Sequence, residues 1–199
     1  MDSLENQLLI AMPALGDPYF NKTVTYICEH NEEGAMGLII NLPVNLNLKE
    51  LLSQLDDEKE KLSKEREEHI EVQNEHTDKL QQRVLSGGPV SQERGFVLHT
   101  PQSCWTSSLS LSNDIMITTS KDILLALGTS EAPTDYMVTL GYAGWGPGQL
   151  EEELKTNSWL TTPADKDILF NTPIEQRWKK ATEKLGIDMA HLSPDIGHA

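Results

Sequence analysis

Two histidines, His30 and His99, each stand where an apolar, strand-like run gives way to a polar segment. A pair of imidazoles near one another can bind a metal or move a proton. Cys28, Glu29 and Glu32 lie close to His30 in sequence and would supply the thiolate or carboxylate that a metal site also needs. Against this, the chain contains no HxH, HxxxH or HExxH spacing. The plainer reading is preferred. It has both histidines hydrogen-bonded to loop backbone, as buried polar groups normally are, and expects no metal and no cofactor.

The second candidate is the stretch Leu140-Gly-Tyr-Ala-Gly-Trp-Gly-Pro-Gly-Gln-Leu-Glu-Glu-Glu-Leu154, which places four glycines, a proline and a tryptophan between an apolar run and an acidic one. Glycine there means positive φ or close backbone approach. A small-molecule or peptide pocket would use Trp145 as a stacking face, with Gln149 and Glu151 as polar anchors. Phosphate is disfavoured, because Glu151, Glu152 and Glu153 already complement the helix dipole and no P-loop lysine follows. The alternative is a tightly packed strand-to-helix corner whose tryptophan fills the core. Gly87-Gly88-Pro89 reads as a tight hairpin turn, or as an open strand edge to which a peptide adds. No G-x-S-x-G supports a serine nucleophile, and Asp56-Asp57 lie in a solvated segment where paired carboxylates stay ordinary.

The elements that must position these residues follow from patterning. Leu8–Met12 reads as a buried strand stopped by Pro13. Thr23–Cys28 and Ala35–Ile40 form a hairpin around Glu29–Gly34, whose Asn31 and Gly34 are turn formers. Leu48–Leu55 reads as a short helix. Residues 56 to 80 carry ten acids and five bases with few apolar residues, which predicts an exposed helix, a solvated arm or a disordered insertion rather than a core element. No sustained heptad supports a coiled coil there. Arg83–Ser86 and Gly95–His99 read as partner strands, Ile115–Thr119 as a strand, and Lys121–Leu127 as a helix between Ser120 and Gly128. Tyr136–Tyr142 reads as a central strand, followed by the glycine turn, a helix over 148–156, a short strand at Ile168–Phe170 and a helix over Pro173–Leu185 closed by Gly186. The tail from Ile187 reads as loop. Hairpins with interspersed helices, without strict βαβ alternation, predict a single α+β domain with a mixed or antiparallel sheet and the insertion at 56 to 80.

Charge bounds the partners. The formal net charge is -15. Binding nucleic acid requires clustered Lys and Arg to displace counterions, so direct nucleic-acid binding is not expected. The one basic cluster, Arg177-Trp178-Lys179-Lys180, reads as a solvated helix face. Cys28 and Cys104 are not in CxxC spacing and read as small buried or half-buried thiols. The N-terminus lacks a basic start and no window approaches the ~20 apolar residues of a membrane span. A soluble, cytoplasmic protein, monomer or dimer, is expected.

Four strings then stand in order: Met12-Pro-Ala-Leu-Gly-Asp-Pro-Tyr-Phe20; His30-Asn-Glu-Glu-Gly-Ala-Met-Gly-Leu-Ile-Ile-Asn41; Ser86-Gly-Gly-Pro-Val90 with Arg94-Gly-Phe-Val-Leu-His99; and Gly141 to Glu151 with Trp159-Leu160. Together they resemble the AlgH/YqgE family of uncharacterised bacterial proteins, from about residue 4 to Ala199. The segment 56 to 80 departs from the family by its length and polarity. The resemblance implies an α+β fold with a bent, partly barrel-like mixed sheet flanked by helices. It also implies the label of a transcriptional regulator, inherited from a link to alginate control, without established catalytic residues. An indirect role through an unknown protein partner fits both the label and the charge. The other expectation is a small-molecule binder or enzyme, whose candidate ligand-binding residues are His30, Asn41, His99, Trp145, Gln149 and Glu151.

Overall fold

The computed structural model describes residues 3–62 and 78–186. Its strands are β1 (Gln7–Ala11), β2 (Val24–Asn31), β3 (Gly34–Ile39), β4 (Pro43–Asn47), β5 (Arg83–Ser86), β6 (Val90–His99), β7 (Ser108–Ser110), β8 (Met116–Thr118), β9 (Tyr136–Trp145) and β10 (Trp159–Pro163). Its α-helices are α1 (Leu48–Leu62), α2 (Lys121–Ala126), α3 (Gln149–Lys155) and α4 (Arg177–Lys184). The class is α+β, and the sheet is mixed: most neighbours are antiparallel, and β5 runs parallel to β9. The chain divides into two units.

The first unit comprises the described residues of Met1–Leu42, Leu85–Arg94 and Thr139–Ala199. β1 lies between β10 and β2, and β3 pairs on with β9. The apolar run Leu8–Ile10 is fully buried, which a strand covered on both faces requires. The β2–β3 hairpin turns tightly, with Asn31 opposite Gly34. Its strands therefore extend three residues beyond Cys28, and a register shift falls between Ile27 and Glu29. Leu9, Ile27, Ala35, Trp145, Leu150 and Trp159 share one core cluster. The rings of Trp145 and Trp159 meet edge to face at 6.0 Å, and Phe20 meets Trp159 at 5.6 Å, the arrangement that the aromatic quadrupole favours.

The second unit comprises the described residues of Pro43–Val84 and Gly95–Val138. β8 lies between β6 and β7, and β4 pairs with β5. Leu80 is buried against Gly128, where an added Cβ would lie 2.8 Å from a Leu80 methyl. Lys79 bridges to Asp135 at 3.5 Å.

Several elements differ from the sequence reading. The glycine stretch is not a turn: β9 runs through Gly141 to Trp145, and only Gly146–Gly148 turn before α3. Gly141, at φ +73, takes the left-handed conformation within the continuous strand. Gly87–Pro89 do not close a hairpin, because β5 pairs with β9 and not with β6. The Gly87 N–H donates to the Leu140 carbonyl and its own carbonyl accepts from Ile39, each at 2.8 Å. Gly87 and Gly88 are therefore buried, not an open edge, while Pro89 is exposed. β4, β7 and β10 are additional strands; Pro, Asn and Ser hide β4 and β7 from propensity, whereas Trp159–Pro163 contains strand formers and is made a strand by its pairing with β1. Ile168–Phe170 form a π-helical turn, Asp167–Asn171, instead of a strand. A 3-10 turn at Ile174–Gln176 precedes α4. Helix α1 continues to Leu62, and Asp78–Gln81 form a 3-10 turn. The remainder of the 56–80 segment, and the tail from Ile187, lie outside the described residues.

The basic cluster at 177–180 is only half solvated. Lys179 and Lys180 are exposed, but Arg177 and Trp178 are buried, each only 7% exposed. The Arg177 guanidinium donates to the carbonyls of Thr172 (3.0 Å) and Ile40, and the Trp178 indole to that of Ala11 (3.2 Å). Burial lowers the Arg177 pKa to about 10.

Candidate functional site

The strand-to-helix corner is built by β9, the Gly146–Gly148 turn and α3. Gly148, at φ +73, starts the helix, and Leu150 anchors its apolar side in the core cluster. The polar side of α3 faces His30, Trp145 and Trp159. The Nε2 of His30 lies 2.9 Å from a Glu151 carboxylate oxygen, and the Leu4 N–H donates to its Nδ1 at 3.1 Å. Because Nδ1 accepts, Nε2 carries the proton and donates to Glu151. The Glu151 carboxyl is held below the usual carboxylate range, first by backbone hydrogen bonding at the helix start and then by His30.

The dominant group is one that sequence patterning misses. Glu153 receives both tryptophan indoles on one carboxylate oxygen, Trp145 at 3.0 Å and Trp159 at 2.7 Å. Its other oxygen accepts from the Gln149 amide at 2.9 Å. The Gln149 oxygen in turn accepts from the Gly146 N–H at 3.1 Å. A usable signal was present: Gln149 and Glu153 are four apart on a helix, and two buried tryptophans demand an indole acceptor.

The candidate residues are thus distributed unevenly. His30, Trp145, Gln149 and Glu151 meet around α3. Asn41 closes the start of the β2–β3 pair instead: its oxygen accepts from the Val24 N–H and its amide donates to the Lys22 carbonyl, each at 2.8 Å. His99 belongs to the second unit, is fully buried, and places its ring nitrogens 2.8 Å from the Thr100 carbonyl and 2.7 Å from the Thr118 hydroxyl. The Thr118 hydroxyl oxygen lies 2.9 Å from that of Ser108. Among the described residues, no group of three His, Cys, Asp or Glu could hold a metal ion.

Burial lowers the His99 pKa from its ordinary 6.5, partly offset by the bond to Thr100. The folded state therefore favours the neutral ring. Stability from this residue is complete above the unfolded value of about 6.5, and is lost as pH falls from there toward the lower folded value. The urea midpoint is expected to fall between about pH 7 and pH 5.5, and to fall less in His99→Gln. Equal falls in the two proteins would reject the assignment.

The two thiols differ. Cys28 is buried and burial pushes its thiol pKa up, whereas Cys104 is exposed. Since thiolate and access set reactivity, a disulfide reagent is expected to modify Cys104 in the native protein and Cys28 only in denaturant. Two equivalents reacting at one rate under native conditions would contradict this.

The chain is thus an α+β protein in which a long strand turns through Gly146–Gly148 into a short helix held by Glu153 and two tryptophans. A family model described as AlgH-like matches residues 8–190, and the chain belongs to that family. Among its relatives, a UPF0301 protein of Colwellia psychrerythraea is 68% identical, with all of both chains covered. One from Idiomarina loihiensis is 56% identical, again over the whole of both. The solution structure of the AlgH protein from Pseudomonas aeruginosa superposes with a TM-score of 0.74 at 42% identity, covering 99% of this chain and 96% of that one. A crystal structure of a Corynebacterium diphtheriae protein shares the fold at 18% identity, with a TM-score of 0.63 over 95% of this chain and 89% of that one.

Proposed function

We propose that this chain is a cytoplasmic protein that works by binding a protein partner, with indirect consequences for gene regulation. The observation that carries the reading is the state of the glycine corner. His30, Gln149, Glu151 and Glu153 spend their hydrogen bonds on Leu4, Gly146, the two indoles and one another. A substrate site would instead aim several such groups at one open point. The net charge of -15 supports a protein partner over nucleic acid, because phosphates would be repelled. No helix of the described residues is long and apolar enough to cross a membrane.

The test is quantitative capture on immobilised protein from a bacterial lysate, followed by reconstitution with the purified candidate. The expected result is a partner that co-migrates with the chain in fixed stoichiometry. Capture at background level across salt conditions would reject the reading. Duplex DNA, run in parallel, is expected to pass unretained at about 50 mM salt; retention that falls steeply with added salt would favour direct nucleic-acid binding instead.

A further inference from the structure

Residues 3–5 precede β1, and two hydrogen bonds fasten them to the body. Both end on His30: the Leu4 N–H donates to Nδ1 at 3.1 Å, and the Glu5 carboxylate accepts from the His30 backbone N–H at 3.3 Å. The Leu4 side chain packs against the core cluster that holds Trp145, Leu150 and Trp159. At Asn6 the chain turns, with φ +59, and from there it is held without His30. The Asn6 N–H donates to the Ile27 carbonyl and its carbonyl accepts from the Ala164 N–H, each at 3.0 Å. Its side-chain oxygen accepts from the Tyr26 hydroxyl at 2.9 Å. A movement of residues 3–5 therefore stops at Asn6 and leaves β1 in place.

The His30 side chain is only 7% exposed, so its two ring nitrogens must use the partners around them. A backbone N–H can only donate, and the Leu4 contact exists only while Nδ1 keeps its lone pair. A protonated imidazole carries N–H on both nitrogens, and its Nδ1–H would meet the Leu4 N–H donor to donor. The charges around the ring favour that proton. From α3, Glu151 faces Nε2 at 2.9 Å, while Glu153 is turned to the indoles and Lys155 is bridged to Glu152. From the N-terminal side, Glu5 places a second carboxylate at the His30 backbone. On β3, Ala35 stands opposite and adds no charge. The carboxylates thus attract what the Leu4 N–H excludes.

We infer that residues 3–5 form a proton-operated latch on the glycine corner. A proton and the Leu4 N–H compete for the same lone pair of His30, so acidification frees the segment up to Asn6 and uncovers the apolar surface beneath Leu4. The sign follows from the competition: the fastening is present while the ring is neutral and is lost as pH falls and the ring charges. The latch is independent of what the protein binds.

The test is ¹⁵N relaxation of the full chain between about pH 8 and about pH 5.5, the interval in which an ordinary imidazole takes up its proton, with the His30 ring nitrogens read in parallel. The expected result is that the Leu4 amide order parameter falls from about 0.85 to below about 0.6 in step with charging of the ring, while Asn6 and Ile27 keep theirs. Glu5→Gln retains an acceptor oxygen without a carboxylate, and the coincidence of Leu4 with the ring should persist in it. Leu4→Pro removes the N–H, and its residue 5 should be mobile at both ends of the range; unchanged amide positions in β2 and β3 verify that fold. A Leu4 amide that stays ordered while the ring charges overturns the inference, as does a ring that stays neutral to the end of the range. Loss of order that follows a carboxylate and not the ring, or that vanishes in Glu5→Gln, overturns it also. So does an ordered residue 5 in Leu4→Pro at about pH 8, which would show that the segment is held without the bond to Nδ1.

Discussion

Replacing Glu153 with alanine is expected to cost about 3–5 kcal/mol of unfolding free energy. One carboxylate oxygen accepts both the Trp145 and Trp159 indoles, and both tryptophans are at most 7% exposed. Removing it strands two buried N–H donors, each costing about 1–3 kcal/mol, and releases the Gln149 amide that fixes the turn. Glu153→Gln keeps an acceptor oxygen and loses only the charge assistance, so its cost is expected to be about 1–2 kcal/mol. Urea denaturation followed by tryptophan fluorescence measures both variants. An alanine variant within 1 kcal/mol of wild type would show that water replaces the carboxylate, and that the corner is not held by it. Against a total stability of about 5–15 kcal/mol, the expected loss is large enough to leave the variant marginally folded.

The second large effect is expected at Gly88. Its φ is +156, and an added Cβ would lie 2.0 Å from the Tyr142 carbonyl carbon and 2.2 Å from the Ala143 nitrogen. Those atoms belong to the backbone of β9, which cannot step aside without breaking the pairing of Ala143 with Gly37. Gly88→Ala should therefore cost more than about 4 kcal/mol, the range reserved for backbone clash and strain, and yield little native protein. Gly148 provides the control. It also has positive φ, at +73, but an added Cβ meets nothing within 4 Å. Gly148→Ala should cost only the left-handed backbone term, about 1 kcal/mol. Circular dichroism and urea midpoints of the pair separate the two causes; similar stabilities would refute the close-approach argument at Gly88.

The sequence exposes the hairpin and misjudges the glycine segments. β2 and β3 are readable because β-branched and apolar residues alternate around a turn-forming tip, a local signal. Gly87-Gly88-Pro89 and Gly141–Trp145 mislead because glycine looks the same in a turn and in a strand pressed against another backbone. Here each explains the other, since Gly88 passes over Tyr142 and an added Cβ on Gly141 would lie 2.6 Å from the Gly88 carbonyl. The corner was half legible. Trp145, Gln149, Glu151 and His30 meet around α3, yet sequence alone shows Glu153 only as a dipole complement, and in the fold it is the acceptor for two indoles. Asn41 and His99 carry side chains suited to ligand binding, and their immediate neighbours use both of their polar groups.

By itself, the sequence determined the α+β class, the hairpin, the acidic character and the family. Those depend on periodicity, composition and ordered local strings. Tertiary structure alone decided that β5 runs parallel to β9, that Arg177 and Trp178 turn inward, and that three acidic side chains divide into a histidine partner, an indole acceptor and a solvated residue bridged to Lys155. The reason is physical: local propensity fixes which way a side chain can point along its own element, whereas the atom it meets there comes from a strand or helix distant in the chain.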